Sequence, residues 1–301
     1  MIPKGKFPWY RPERGISEPA KSLFNSLTGV EAIPHIPSAI LELQSKINDP
    51  TIEIAEISKA LKSDPILASE ILSMANRLKD ARLEDGLDIR SLDHAVSYMG
   101  RKDVGQCILT VVIKNFKIQT KVFHHETFWA ASFDRARIAE YLAQKIGLPE
   151  MQPDEIYLAA ALCNIGKIIG AILKPELVDR IEMQISDPKQ QTTWSAAELS
   201  FPEVSHVLLG EIATAIWGLP DYIMLAARFH HSDPKPDVKL RSKVCIPELV
   251  SLANSCLHWA YGEPFRIDNE QFIKILSGFE WTTADIEALM PDIKKRIQRP
   301  R

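Results

Sequence analysis

The sequence predicts an all-α fold. Three observations carry that expectation. Apolar residues recur three and four apart along most of the chain, proline and glycine punctuate the stripes as helix starts and stops, and no alternating run is long enough to make a paired strand.

The elements follow in order. Ile36-Pro37-Ser38 opens a stripe of Ile40, Leu43 and Ile47, which Asn48-Asp49-Pro50 closes. Ile54, Ile57 and Leu61 form a second stripe. Asp64-Pro65 reads as an N-cap with proline at the first helical position, ahead of Ile66, Leu67, Ile71, Leu72 and Met74. Asp85-Gly86 sits in a polar loop, and Ser91 starts a helix carrying Leu92, Ala95, Val96 and Met99, stopped by Gly100. The run Cys107 to Ile113 has β-propensity, but a lone strand would have no partner, so residues 101–118 are expected to be helical. Further helices are expected near 124–146, 153–173, 175–185, 204–217, 220–231, 244–261, 268–277 and 283–297. Gly147-Leu148-Pro149 and Gly218-Leu219-Pro220 stop two of them, and Thr282-Thr283-Ala284-Asp285 resembles a capping box. A polar break at Gln119-Thr120-Lys121 is the expected seam between two helical sets, and Ser232 to Lys243 is expected to be an exposed, mobile loop.

Composition narrows the function classes. The 301 residues are 46% hydrophobic and 25% charged, which fits a packed globular chain. Thirty-six basic against 39 acidic side chains give a net charge of −3, so no global field favours nucleic acid or anionic membrane. Basic residues gather only at the ends, as Lys4, Lys6, Arg11 and Arg14 and as Lys294, Lys295, Arg296, Arg299 and Arg301, where solvated termini are expected. Nucleic acid is therefore not an expected partner. The cysteines, Cys107, Cys163, Cys245 and Cys256, form no CxxC pair and fit a reducing compartment. No signal-peptide pattern opens the chain, and the apolar stretch Leu158–Leu173 contains Asn164 and Lys167 and is short for a membrane span. A cytoplasmic location without membrane contact is the expectation. Phe7, Trp9 and Tyr10 among Pro3, Pro8 and Pro12 mark an N-terminal arm that either wraps the chain's own surface or anchors another protein.

Dinucleotide, P-loop, serine-esterase and zincin motifs are all missing from the sequence. What remains is a histidine and amide set: Cys163-Asn164-Ile165-Gly166-Lys167, His206, His230-His231 and Asn254. The segment Ala160 to Lys167 resembles the histidine-aspartate block of the HD superfamily of metal-dependent phosphohydrolases. Phe128 to Ser132 is similar to the block bearing that family's first histidine. His206 to Gly210, then Trp217-Gly218-Leu219-Pro220, then His230-His231 resemble the HDOD subfamily. So do Ile36-Pro37, Asp64-Pro65, Leu72 to Asn76 and Ser91 to Gly100, so the likeness runs from about residue 30 to about 260. It implies an HD-like helical bundle with an arm at 1–30, an N-terminal helical subdomain at 31–120, an HD-like subdomain at 121–262 and a helical extension at 263–301.

By the same resemblance, the family's first histidine falls at Ala131, its histidine-aspartate doublet at Cys163 and Asn164, and its final aspartate at Asn254. His206, His230 and His231 correspond to the extra histidines of multi-metal relatives. A methyl group, a thiol and two amides are a poor set for a hard divalent ion, and both aspartates that would retain it are gone. No metal and no cofactor are therefore expected, and the chain is not expected to be an enzyme. Cys163 and Asn164 are read as helix packing plus an amide bonded to backbone, His206 and His230 as satisfied core histidines, His231 as surface, and Lys167 as snorkelling to the cavity mouth. The cyclic-di-GMP phosphodiesterase branch carries Gly-Tyr-Pro after its paired histidines, whereas here Ser232-Asp233-Pro234-Lys235 follows. The resemblance implies a regulatory module of bacterial signalling with protein partners or a small ligand, a nucleotide included. The competing expectation is a phosphohydrolase with an atypical site of Cys163, His206, His230 and His231.

Overall fold

The computed structural model describes residues 16–27, 33–34, 40, 42–43, 46–47, 49, 51–81, 88–147, 153–187, 189–231 and 245–297. The aromatic arm residues, the basic residues before Ile16 and after Ile297, Asp85-Gly86 and the loop from Ser232 to Lys243 lie outside them. Among the described residues there is no strand. Their α-helices are α1 (Glu18–Ser26), α2 (Ile54–Lys62), α3 (Pro65–Ala81), α4 (Leu92–Met99), α5 (Arg101–Lys114), α6 (His125–Ile146), α7 (Pro153–Leu162), α8 (Ile165–Leu173), α9 (Pro175–Ser186), α10 (Trp194–Glu198), α11 (His206–Ile216), α12 (Asp221–Phe229), α13 (Cys245–Ala260), α14 (Asn269–Gly278) and α15 (Thr283–Arg296).

The chain forms two compact units, one of Pro34–Phe116 and one that joins Met1–Ile33 to Lys117–Arg301. In the first, Asp64 caps α3 by accepting from the Leu67 N–H at 3.1 Å, and Ser91 caps α4 by accepting from His94. Ile57, Leu61, Ile71, Ala75, Val96 and Ile108 are fully buried, so the stripes read from the sequence are its core. The β-prone run from Cys107 to Ile113 is helix within α5. Asn76 stitches α3 to the segment before α4: its amide donates to the Leu72 and Ile89 carbonyls and accepts from the Ile89 N–H, all at 2.8–2.9 Å.

The second unit is built around α6, which packs on α7 and α13, and around α11, which packs on α8 and α12. Helix α1 belongs here too. Ser17, within the expected N-terminal arm, binds the fully buried Glu211 carboxylate on α11 through its N–H at 2.5 Å and its hydroxyl at 2.8 Å. The Asp179 carboxylate on α9 accepts the consecutive N–H groups of Lys121, Val122 and Phe123 at 2.7–3.0 Å and so fixes the turn into α6. Burial raises its proton affinity, but those three donors outweigh burial and hold it below the usual carboxylate range.

Two details position the site. The helix expected across 153–173 is broken at Cys163-Asn164, between α7 and α8, so these residues leave the helical register and turn inward. A β-carbon on Gly166 would stand 1.8 Å from the His206 carbonyl oxygen, so only glycine lets α8 approach the start of α11 this closely. The stretch Glu155–Leu173 has the length and apolarity of a crossing helix, longer than the sequence reading allowed, yet 78% of its most apolar window is buried within the fold.

Candidate functional site

A cavity of about 400 Å³ opens in the second unit. Ala131 and Arg135 from α6, Asn164 from the α7–α8 break, Lys167 from α8, Glu182 from α9, Trp194 from α10, His231 after α12, and Asn254 and His258 from α13 all line it. Ala131, Asn164 and Asn254 therefore meet in one place. Cys163 sits behind them, fully buried, its thiol donating to the Ala160 carbonyl at 3.4 Å. Burial pushes that thiol up, away from the thiolate a metal requires.

Asn164 departs from the sequence reading. Its amide nitrogen donates to the Cys163 sulfur at 3.4 Å instead of to backbone, and its Oδ1 is buried without a partner. His231 is exposed, as the sequence reading has it, yet its ring lies 4.1 Å from that of His230 and 5.1 Å from that of His206, at the cavity wall.

His206 and His230 are fully or nearly fully buried and face each other, Nε2 to Nε2, at 3.3 Å. His206 Nδ1 is 2.7 Å from Glu198 Oε2, which also accepts the His206 backbone N–H at 3.1 Å. His230 Nδ1 is 2.9 Å from the Ala226 carbonyl. Both Nδ1 atoms face acceptors, so both carry hydrogen, and the two Nε2 lone pairs would oppose each other without a positive centre between them. A proton on His206, balanced by Glu198, would complete a chain from Glu198 through His206 and His230 to Ala226. Burial, with Lys167 and Arg135 nearby, outweighs the Glu198 bonds and holds His206 below the ordinary histidine range. Burial, then the neighbouring His206, holds His230 well below the ordinary histidine range.

Two cations stand near the histidines. Arg135, nearly fully buried, donates from Nε to Asn254 Oδ1 at 3.0 Å and from Nη1 to the Ala160 carbonyl at 3.2 Å. Lys167 Nζ lies 4.4 Å over the Trp194 ring, and burial followed by Arg135 pushes its amine down to about 8. Both cations act on the histidines, which further disfavours extra positive charge there.

The metal implied by the HD resemblance can be tested against these groups. The positions of the family's own ligands do not fit it: Ala131 has no donor atom, Cys163 is a bonded thiol, Asn254 is engaged by a guanidinium, and none is a carboxylate. The histidines stand differently. The ligand nitrogens of His206, His230 and His231 lie within 4.8 Å of one another, and Cys163 is not in that group.

Sequence reasoning missed Arg135, Glu182, Glu198 and His258. Three of them had a signal. Arg135 shares a stripe with Phe128, Ala131 and Ile138, Glu182 shares one with Val178 and Ile185, and His258 follows Asn254 by one turn. A charged residue on an apolar stripe of this kind marks a cavity wall. Glu198 lies in a five-residue helix whose position against His206 only the fold discloses.

An all-helical body with this break, this glycine contact and this polar cavity defines an HD-type helical domain. The HDOD domain family model matches residues 33–233, and the chain belongs to that family. It is 24% identical over 259 residues to an uncharacterized protein of Treponema pallidum (strain Nichols), covering 81% of this chain and 48% of that one. The chain thus spans about half the length of the curated relative it matches. Among solved structures it is similar to a candidate phosphohydrolase from Shewanella amazonensis SB2B, with a TM-score of 0.68 and 18% identity over 93% of this chain and 94% of that one. It is also similar to a candidate signal transduction protein from Marinobacter aquaeolei VT8, with a TM-score of 0.73 and 16% identity over 93% of this chain and 63% of that one. At these identities the likeness is one of fold.

Proposed function

We propose that this chain is a regulatory module of signal transduction that does not hydrolyse phosphate esters, and that it works through protein partners and an occupied or empty cavity. One observation carries the reading: Arg135 is bonded to Asn254 at the position of the family's final metal-binding aspartate. A fixed guanidinium bonded at that position opposes the divalent ion that HD-type hydrolysis needs. The similarity to a candidate signal transduction protein agrees with the reading. The buried thiols of Cys163 and Cys256, outside any disulfide, agree with a cytoplasmic setting. The test is hydrolysis of p-nitrophenyl phosphate and its bis ester by the purified chain with added manganese, magnesium or zinc. The reading expects no turnover above blank. Turnover that Asn164→Ala and His206→Ala abolish would overturn it.

A second reading has one observation behind it. The His206, His230 and His231 triangle could take a soft cation in place of the shared proton, with Glu198 and the Ala226 carbonyl orienting two of the rings from behind. The neighbouring Arg135 and Lys167 weigh against it. Elemental analysis separates the two readings.

A further inference from the structure

We propose that α1 is a separable strap, and that lifting it is relayed through Glu211 and Arg228 to α12, the helix that leads into His230. This goes beyond the regulatory reading and does not depend on it, since Ser17, Glu211 and Arg228 stand apart from the cavity lining and the relay involves no phosphate chemistry.

Connectivity makes α1 separable. After Ile33 the chain leaves this unit for Pro34–Phe116 and returns only at Lys117, so α1 has no short covalent path to the helices it packs on. Its buried stripe is Ile16, Ala20, Leu23 and Phe24, and its polar anchor is Ser17 on Glu211. A nine-residue helix at the end of a chain, held by one stripe, belongs to the low-stability end of a fold.

Glu211 makes lifting the strap consequential. Its carboxylate is fully buried, and among the described residues it meets the two Ser17 donors and Arg228, whose Nη1 is 3.6 Å from Oε1. At that distance the guanidinium is near without a hydrogen bond, and its side chain is 32% exposed. With α1 lifted, the carboxylate loses both Ser17 donors and is left as a buried charge short of partners. It recovers them when Arg228 closes on it or when water enters between α11 and α12. Either change disturbs the same seam. Ala227, beside Arg228, stands 3.3 Å from where a β-carbon on Gly210, beside Glu211, would lie. Arg228 thus has two arrangements, loose with α1 docked and closed without it, and the strap selects between them. His206 opens α11 and His230 follows Arg228 by two residues, so the seam ends at the histidine pair.

The experiment is hydrogen exchange read by mass spectrometry on the full chain. In wild-type protein α1 should exchange about tenfold faster than α6. Leu23→Ala loosens α1 without touching Glu211. It should speed exchange roughly tenfold to a hundredfold in α1 and also raise it in α12, with α6 unchanged. Adding Glu211→Met should return α12 to wild-type protection and leave α1 fast, because no charge is then stranded. Circular dichroism checks that the variants fold, and Ser17→Ala, a milder change, replaces Leu23→Ala if that variant does not. Protection of α1 equal to that of α6 in wild-type protein overturns the strap. Exchange in α12 that is unmoved when α1 is loosened, or still raised after Glu211→Met, overturns the relay.

Discussion

His206 and His230 oppose their Nε2 atoms across 3.3 Å, while each turns Nδ1 to an acceptor, Glu198 for one and the Ala226 carbonyl for the other. The pair therefore accommodates one extra proton at most. A second would break the contact and set two imidazolium charges side by side in a buried place. His230 accordingly stays neutral at pH values where a free histidine is protonated.

This gives a pH dependence with a definite sign. Below about pH 6.5 the unfolded chain takes up a proton at this position that the folded chain refuses, so stability falls with pH by up to about 1.4 kcal/mol per unit. Burial raises the Glu198 carboxyl, but the bonds to His206 outweigh that and hold it low, so its contribution is present above about pH 4.3 and is lost only on further acidification. Thermal unfolding at pH 7.5 and 5.5 should show the first loss, and His230→Gln should flatten it. An unchanged midpoint in wild-type protein would contradict the relay.

Gly166 should tolerate no side chain. Gly166→Ala forces a β-carbon into the His206 carbonyl and the Gly210 N–H, both backbone, and should cost about 3 kcal/mol or more. Gly278→Ala at the end of α14 meets nothing within 4 Å and should be neutral or slightly stabilising. Urea midpoints of the two variants check the contrast.

Asp179 should matter more than its place on a surface-facing helix suggests. Asp179→Ala leaves three consecutive N–H groups at 121–123 without their acceptor and should cost about 2–4 kcal/mol. Because that turn leads into α6, hydrogen exchange should rise first at the start of this helix.

Putting carboxylates back should not by itself restore a metal. Asn164→Asp with Asn254→Asp returns two anions, but Arg135 would pair with the second. Manganese affinity should rise appreciably only when Arg135→Met is added, as measured by electron paramagnetic resonance titration. Tight manganese binding by the double variant alone would show that Arg135 does not decide the electrostatics.

The helices were legible because local signals agree with the fold. Asp64-Pro65 caps α3, Gly100 and Gly147 stop α4 and α6 at positive φ, and the Thr282–Asp285 capping box forms. The cavity was half legible. Ala131, Asn164 and Asn254 meet there, as the resemblance implies, but the break that turns Asn164 inward was hidden because Leu158–Leu173 reads as one apolar helix. Arg135 and Glu182 were written into apolar stripes as charged exceptions. Glu198 was not, since its distance from His206 depends on how α10 returns across the chain.

On the proposed reading, Arg135 and Lys167 take the electrostatic place that a divalent ion has in HD phosphohydrolases. Elemental analysis of the chain, purified without a histidine tag or chelator from metal-supplemented cells, tests it most directly. Only trace transition metal is expected, unchanged in His206→Ala. Near-stoichiometric zinc, manganese or iron in wild-type protein, lost in His206→Ala, would contradict it.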